Sequence, residues 1–188
     1  MRKQCFLALS FIAILFLTSC TKEDLQFSNA TTPTGTSSEE PFQVISYSNW
    51  TADADLTWSD GTTTEPSRQF DLAVPELTPE QLSDGSFVLL YARSNVDASV
   101  QIMPAEFSDF NNNEVNAYHA FIDEGVISLR HTKSVNGSFE VPSDNNQVSF
   151  RYFIVKPTTP GPNGRPMTTV DFYGKPYQEV IDLLAIPE

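Results

Sequence analysis

Four carboxylates, Glu106, Asp109, Asp123 and Glu124, lie close together in the chain. A glycosidase works with two such groups held at a set separation, one protonated and one ionised. Spacing along a chain does not set distance in space, and 24 acidic residues supply such pairs by chance. Binding therefore ranks ahead of hydrolysis. Two histidines, His119 and His131, flank Asp123-Glu124-Gly125. Three residues ending in glycine suit a hairpin loop with the glycine at positive φ. That loop pairs Ile122 with Val126 and sets His119 against Leu129 and His131 against Ala117. Both imidazoles then share a face with Phe121, Ile127 and Leu129. A metal would need a third ligand, which that face does not offer, so the two read as histidines at the rim of a core and no cofactor is implied. Near Trp50 and Trp58, the residues Asp53, Asp55 and Asp60-Gly61 carry the oxygens of a calcium loop. Counted from Asp53, however, the sixth and twelfth positions are Trp58 and Thr64, where an EF-hand requires glycine and glutamate. The segment reads as a solvated turn. Trp50, Trp58, Tyr47, Tyr118 and Tyr173 are able to stack on sugar rings, although aromatic residues on strands serve the core first. There is no nucleophile elbow, phosphate loop or dinucleotide fingerprint.

Charge narrows the partners. The 188 residues include 11 basic and 24 acidic ones, a net −13. Such a chain repels phosphate backbones and anionic lipid surfaces, which argues against nucleic acid as a partner.

The first residues carry an address. Arg2 and Lys3 precede an apolar run from Cys5 to Leu17, closed by small residues, as in a secretory signal. Thirteen residues make roughly 20 Å of helix, short of a ~30 Å hydrocarbon core. Leu17-Thr18-Ser19-Cys20 resembles the lipobox of bacterial lipoproteins. The resemblance implies cleavage between Ser19 and Cys20, a diacylglycerol on the Cys20 thiol and a fatty-acyl chain such as palmitate on its amine. Two or more chains anchor a protein stably to a membrane. The mature chain would then hold 169 residues, with 9 basic against 24 acidic ones, a net −15. With Cys5 discarded and Cys20 consumed, no thiol or disulfide remains, which excludes cysteine proteases, thiol redox enzymes and Cys-ligated zinc. Lys22-Glu23-Asp24 resembles the charged signal that sends lipoproteins of Bacteroidota to the outer face of the outer membrane. From Thr21 to Pro41 the residues are polar and give a flexible tether of about 25 Å. The expected organisation is a signal peptide at 1–19, a lipidated cysteine and tether at 20–41, and one domain at 42–188.

Within that domain the pattern is one of short strands. Phe42–Ser48 and Arg68–Val74 alternate apolar and polar residues. Thr78-Pro79-Glu80-Gln81 supplies a helix cap, a first-turn proline and a reciprocal partner, and Gly85 a stop, predicting a short helix over Pro79–Asp84. Ser86–Arg93 is a continuous apolar run suited to a sheet centre. Further strands are predicted at Val100–Met103, Val115–Ile122, Val126–His131 and Ser138–Val141, with Ser108–Asn113 a polar loop. Gln147–Lys156 is apolar on both faces and needs two covers. One is an opposing sheet and the other a C-terminal helix over Pro176–Ala185, with Tyr177, Val180, Ile181 and Leu184 in its stripe. About eight strands and two brief helices predict an all-β, antiparallel β-sandwich or jelly-roll-like fold.

Phe150-Arg151-Tyr152-Phe153-Ile154-Val155-Lys156-Pro157 and Tyr177-Gln178-Glu179-Val180, with the strand and turn pattern before them, resemble a family of small secreted lipoproteins of Bacteroidota. Thr158 departs from that pattern, where glycine is usual. The resemblance covers most of the chain beyond Pro41 and implies location and fold, with no activity attached. Together these readings predict a lipid-anchored, surface-exposed outer-membrane lipoprotein that acts as a binding or structural module. A carbohydrate-active hydrolase using a carboxylate pair is the alternative. Rigid β scaffolds present recognition on loops. The Pro157–Met167 loop, with Asn163 and its single charge Arg165, is the candidate contact for a glycan or a host or cell-surface protein.

Overall fold

The computed structural model describes residues 41–60, 66–142, 147–161 and 164–187. The expected signal, Ser19, Cys20, the Lys22-Glu23-Asp24 signal and Asn163 lie outside the described residues. The fold is an all-β sandwich with a short internal helix and a C-terminal helix. Its strands are β1 (Phe42–Tyr47), β2 (Thr51–Ala52), β3 (Ser59–Asp60), β4 (Ser67–Ala73), β5 (Phe87–Ser94), β6 (Val100–Ile102), β7 (Ala105–Asp109), β8 (Glu114–Asp123), β9 (Val126–Val135), β10 (Ser138–Glu140) and β11 (Val148–Pro157). Helix α1 is Pro79–Ser83 and helix α2 is Tyr177–Leu183. The described residues also include 3-10 turns at Asp53–Asp55 and Thr169–Phe172.

One sheet runs β1-β11-β5-β6, with β2 also on β11. The other runs β3-β4-β9-β8-β7, with β10 also on β9. All pairings are antiparallel. The space between the sheets is filled from both sides. Phe70, Leu72, Tyr118, Ile127 and Leu129 of the second sheet meet Val88, Leu90, Phe150, Tyr152 and Ile154 of the first. Alternation puts the neighbours of those residues, Leu89, Tyr91, Phe153 and Val155, on the outer face of the first sheet. There Phe172, Val180, Ile181 and Leu184 cover them. The two covers that the doubly apolar β11 demands are therefore present, and the molecule has three layers. The outer face of the second sheet is the solvated one, where Ser128 Oγ donates to Asp71 Oδ1 at 2.7 Å.

Local signals act as the residue chemistry dictates. The Thr78 hydroxyl accepts from the Gln81 amide at 3.3 Å, and the Gln81 side chain accepts from the Thr78 amide at 3.4 Å. Gly85 follows α1 at φ +90°. Asn136-Gly137, at φ +52° and +79°, turns β9 into β10, as that dipeptide favours.

Several expectations are corrected. Among the described residues there are eleven strands where the pattern predicts about eight. Ser108 and Asp109 belong to β7, whose polar outward residues hide a strand paired with β8. The β8–β9 connection has two residues, not three: Ile122 pairs with Ile127 and Asp123 with Val126. A slip of one residue moves side chains to the opposite face. His119 thus faces Arg130 on the exposed side, His131 faces Tyr118 inside, and the two imidazoles do not share a face. Gly125 does take positive φ, at +69°.

Candidate functional site

The site arises because β6 is short. It pairs only with Tyr91–Arg93 of β5, and the chain then crosses to the other sheet at Met103-Pro104 to begin β7. Gln101 clamps that corner, its amide donating to the Glu106 carbonyl at 2.9 Å and accepting from the Glu106 N–H at 3.2 Å. Two turns rise at the same end of the sandwich. In the β5–β6 turn, the Ser94 hydroxyl accepts from the Val96 and Asp97 amides at 3.2 and 3.3 Å. Asp97 in turn accepts from the Ser99 amide and hydroxyl at 3.0 and 2.7 Å. The hydrogen bonds from Ser99 hold the Asp97 carboxyl at about 2. In the β7–β8 turn, Asp109 accepts from the Asn111 amide at 2.9 Å and the Asn112 side chain at 2.7 Å.

Between these turns lies a cleft of about 670 Å³. Asp97, Glu106, Asp109, Gln101, Asn111 and Gln147 supply its polar wall, and Phe107 and Phe110 its apolar one. Among the described residues no lysine or arginine lines it. Phe110 is 89% exposed. On its other side a hollow of about 390 Å³ lies against Asn113, Glu114 and Asn136. The turns bounding that hollow are tied by Asn136 N–H to the Asn113 carbonyl at 3.0 Å and by their side-chain amides at 3.2 Å. Phe110 is a ridge between two depressions.

Asn116 closes the cleft floor and is almost fully buried. Its amide nitrogen donates to Glu114 at 2.8 Å, so its oxygen is turned to His131 Nε2 at 2.9 Å. That orientation assigns the ring proton to Nε2. His131 stacks on Tyr118 with centroids 4.2 Å apart and meets the Trp58 ring edge-on at 6.0 Å. Burial, and then the Asp53 carboxylate, push the Tyr118 phenol well above its usual range. Outside, Lys133 pairs with Glu114 at 2.8 Å. Burial acts against the charged Glu114, yet the Lys133 and Asn116 hydrogen bonds outweigh it and lower its pKa.

The residues singled out by type are placed as follows. Glu106 and Asp109 come together at the cleft, whereas Asp123 and Glu124 sit at the β8–β9 hairpin tip away from it. Asp53 is fully buried and starts a 3-10 turn, its carbonyl accepting from Trp58 Nε1 at 3.2 Å. The solvated-turn reading is corrected there. Among the described residues no group of three His, Cys, Asp or Glu side chains is arranged to hold a metal ion. The five aromatics do not form one platform. Trp58 packs on Phe70 and Phe150 between the sheets, and Trp50 on Tyr177 beyond them. Arg165 donates to Asp171 in a two-pronged pair, with Nη1 2.9 Å from Oδ2, so its charge is already engaged by the 3-10 turn that follows the loop. Hydrogen bonding to Arg165 lowers the Asp171 carboxyl pKa. Phe110 escaped notice because it stands alone among asparagines, with no alternation around it.

No family model, no curated protein and no solved structure matches the chain.

Proposed function

We propose that this protein is a lipid-anchored binding module of the outer membrane, and that the cleft beside Phe110 takes up a neutral carbohydrate. The observation that carries the reading is Phe110 itself, 89% exposed between a polar cleft and a second hollow. An uncovered aromatic ring next to carboxylate and amide side chains suits a ligand with one apolar face and a hydroxylated edge. The acidic lining disfavours phosphorylated or uronic ligands. A hydrolase would want one carboxyl with its proton retained near neutral pH and one ionised, and the lowered pKa of Asp97 suits it only for the second role.

Full-length protein in detergent, tested on an array of neutral and acidic oligosaccharides, is expected to retain neutral ones. Phe110→Ala should weaken that binding at least about tenfold, the loss of one central anchor. Arg165→Ala should leave it unchanged. Binding indifferent to Phe110→Ala would remove the cleft from the account, and turnover of any glycan would favour the hydrolase.

Anchoring rests on Leu17-Thr18-Ser19-Cys20 and the surface address on Lys22-Glu23-Asp24. Cys20→Ala should free the protein from membranes and abolish acyl labelling, while the unsubstituted domain is shaved by protease added to intact cells. An unmodified Cys20 in mass spectra of membrane-extracted protein would sink the anchor.

A further inference from the structure

The same short β6–β7 crossover that opens the cleft leaves a strand edge bare at the other end. β7 pairs with β8 only from Glu114 to Tyr118, so His119–Asp123 has β9 on one side and, among the described residues, no strand on the other. His119, Phe121, Ile122 and Asp123 are all exposed, Phe121 by 55%. An unpaired edge of this kind is a template for another strand. A hollow of about 270 Å³ lies beside it, walled by Leu90, Met103, Pro104 and Tyr173.

We propose that the occupant is a second copy of this chain, its own His119–Asp123 edge added antiparallel about a two-fold axis through Phe121. The segment is complementary to itself. In that register Phe121 meets the second copy's Phe121, and His119 meets the second copy's Asp123 twice over, with Arg130 directly behind each imidazole. Acid thus faces base at both ends of the seam. On the other face Ala120 meets the second copy's Ile122, beside the hollow. A foreign strand would have to reproduce this pattern of acid, aromatic and base, whereas the chain carries it already. Net repulsion between two acidic domains is screened beyond about 8 Å at 0.15 M salt, leaving the local pairs to decide the register.

Disulfide trapping of the full chain in its membrane, at that ionic strength, tests the register. Paired Phe121 positions fall within the 4.4–6.8 Å Cα separation that a disulfide spans. The two His119 positions fall about 14 Å apart at 3.4 Å per residue along the strand. Phe121→Cys should therefore cross-link into a dimer well above the background of the unsubstituted chain. His119→Cys should not, and His119→Cys combined with Asp123→Cys should restore the dimer. No dimer with Phe121→Cys, or equal yields from Phe121→Cys and His119→Cys, overturns the proposal. The first of those results would also follow if the chain's own N-terminal tail covered the edge. Glycan retention by Phe121→Cys is expected to be unaffected, since the cleft lies at the opposite end.

Discussion

Replacing Phe153 by alanine should lower the stability of the domain by about 3–5 kcal/mol. Phe153 has no exposed surface and lies mid-way along β11, under Tyr91 at 5.9 Å and Tyr47 at 6.5 Å between ring centroids. Its neighbours belong to the first sheet and to the layer that α2 closes, so the surrounding atoms have no easy way to fall into the gap. In a domain of this size the loss should move the thermal midpoint by roughly ten degrees. A shift of only a degree or two would mean that the outer face of the first sheet is loosely covered.

The second large effect is expected at Arg151, one of the few charged side chains placed in the interior. It is 3% exposed and its guanidinium is used on three sides. Nε donates to the Ser48 carbonyl at 2.9 Å, Nη1 to the Tyr177 hydroxyl at 2.8 Å, and Nη2 to the Pro187 carbonyl at 3.0 Å. The Phe153 ring lies beneath the guanidinium at 5.1 Å. Arg151→Ala strips donors from two carbonyls and a hydroxyl in a dry setting. At about 1–3 kcal/mol for each orphaned group, the total is several kcal/mol. Arg151→Lys should fare little better, because an ammonium on a flexible stem does not reproduce the planar fork. Hydrogen exchange should report the loss locally first, with α2 amides exchanging faster than those of β9. Uniform loss of protection would instead make Arg151 a member of the global core.

The layers of the fold were readable because each rests on a local regularity. Alternation in β4, the unbroken apolar run in β5, the two apolar faces of β11 and the capping residues of α1 each speak through neighbours a few positions apart. Register was not readable in the same way. Glycine at the end of Asp123-Glu124-Gly125 fits a two-residue turn as well as a three-residue loop, and that one-residue choice decides which face His131 occupies. β7 was hidden because it is an edge strand with Glu106, Ser108 and Asp109 pointing to water. The cleft was out of reach altogether. Its walls come from the β5–β6 turn, β6, β7, the β7–β8 turn, β8 and the start of β11, and nothing in any one of them marks the others. Arg151 sat inside a recognised strand pattern, yet its partners Ser48 and Pro187 are 103 and 36 residues away.

The order in which the chain becomes available matters for how this domain matures. Among the described residues β1 has no strand partner but β11, and the layer outside both is closed by α2 and by the Arg151 bond to Pro187, 36 residues further on. The first sheet is therefore closed by a pairing, β1 on β11, that brings together residues such as Ser48 and Arg151, 103 positions apart. Contacts across such separations form slowly, because a long loop must be closed before any of them is gained. A chain made only as far as β10 has β1 unpaired and the outer layer open. Closure of the first sheet is therefore expected to follow the appearance of β11 rather than to accompany the growth of the second sheet.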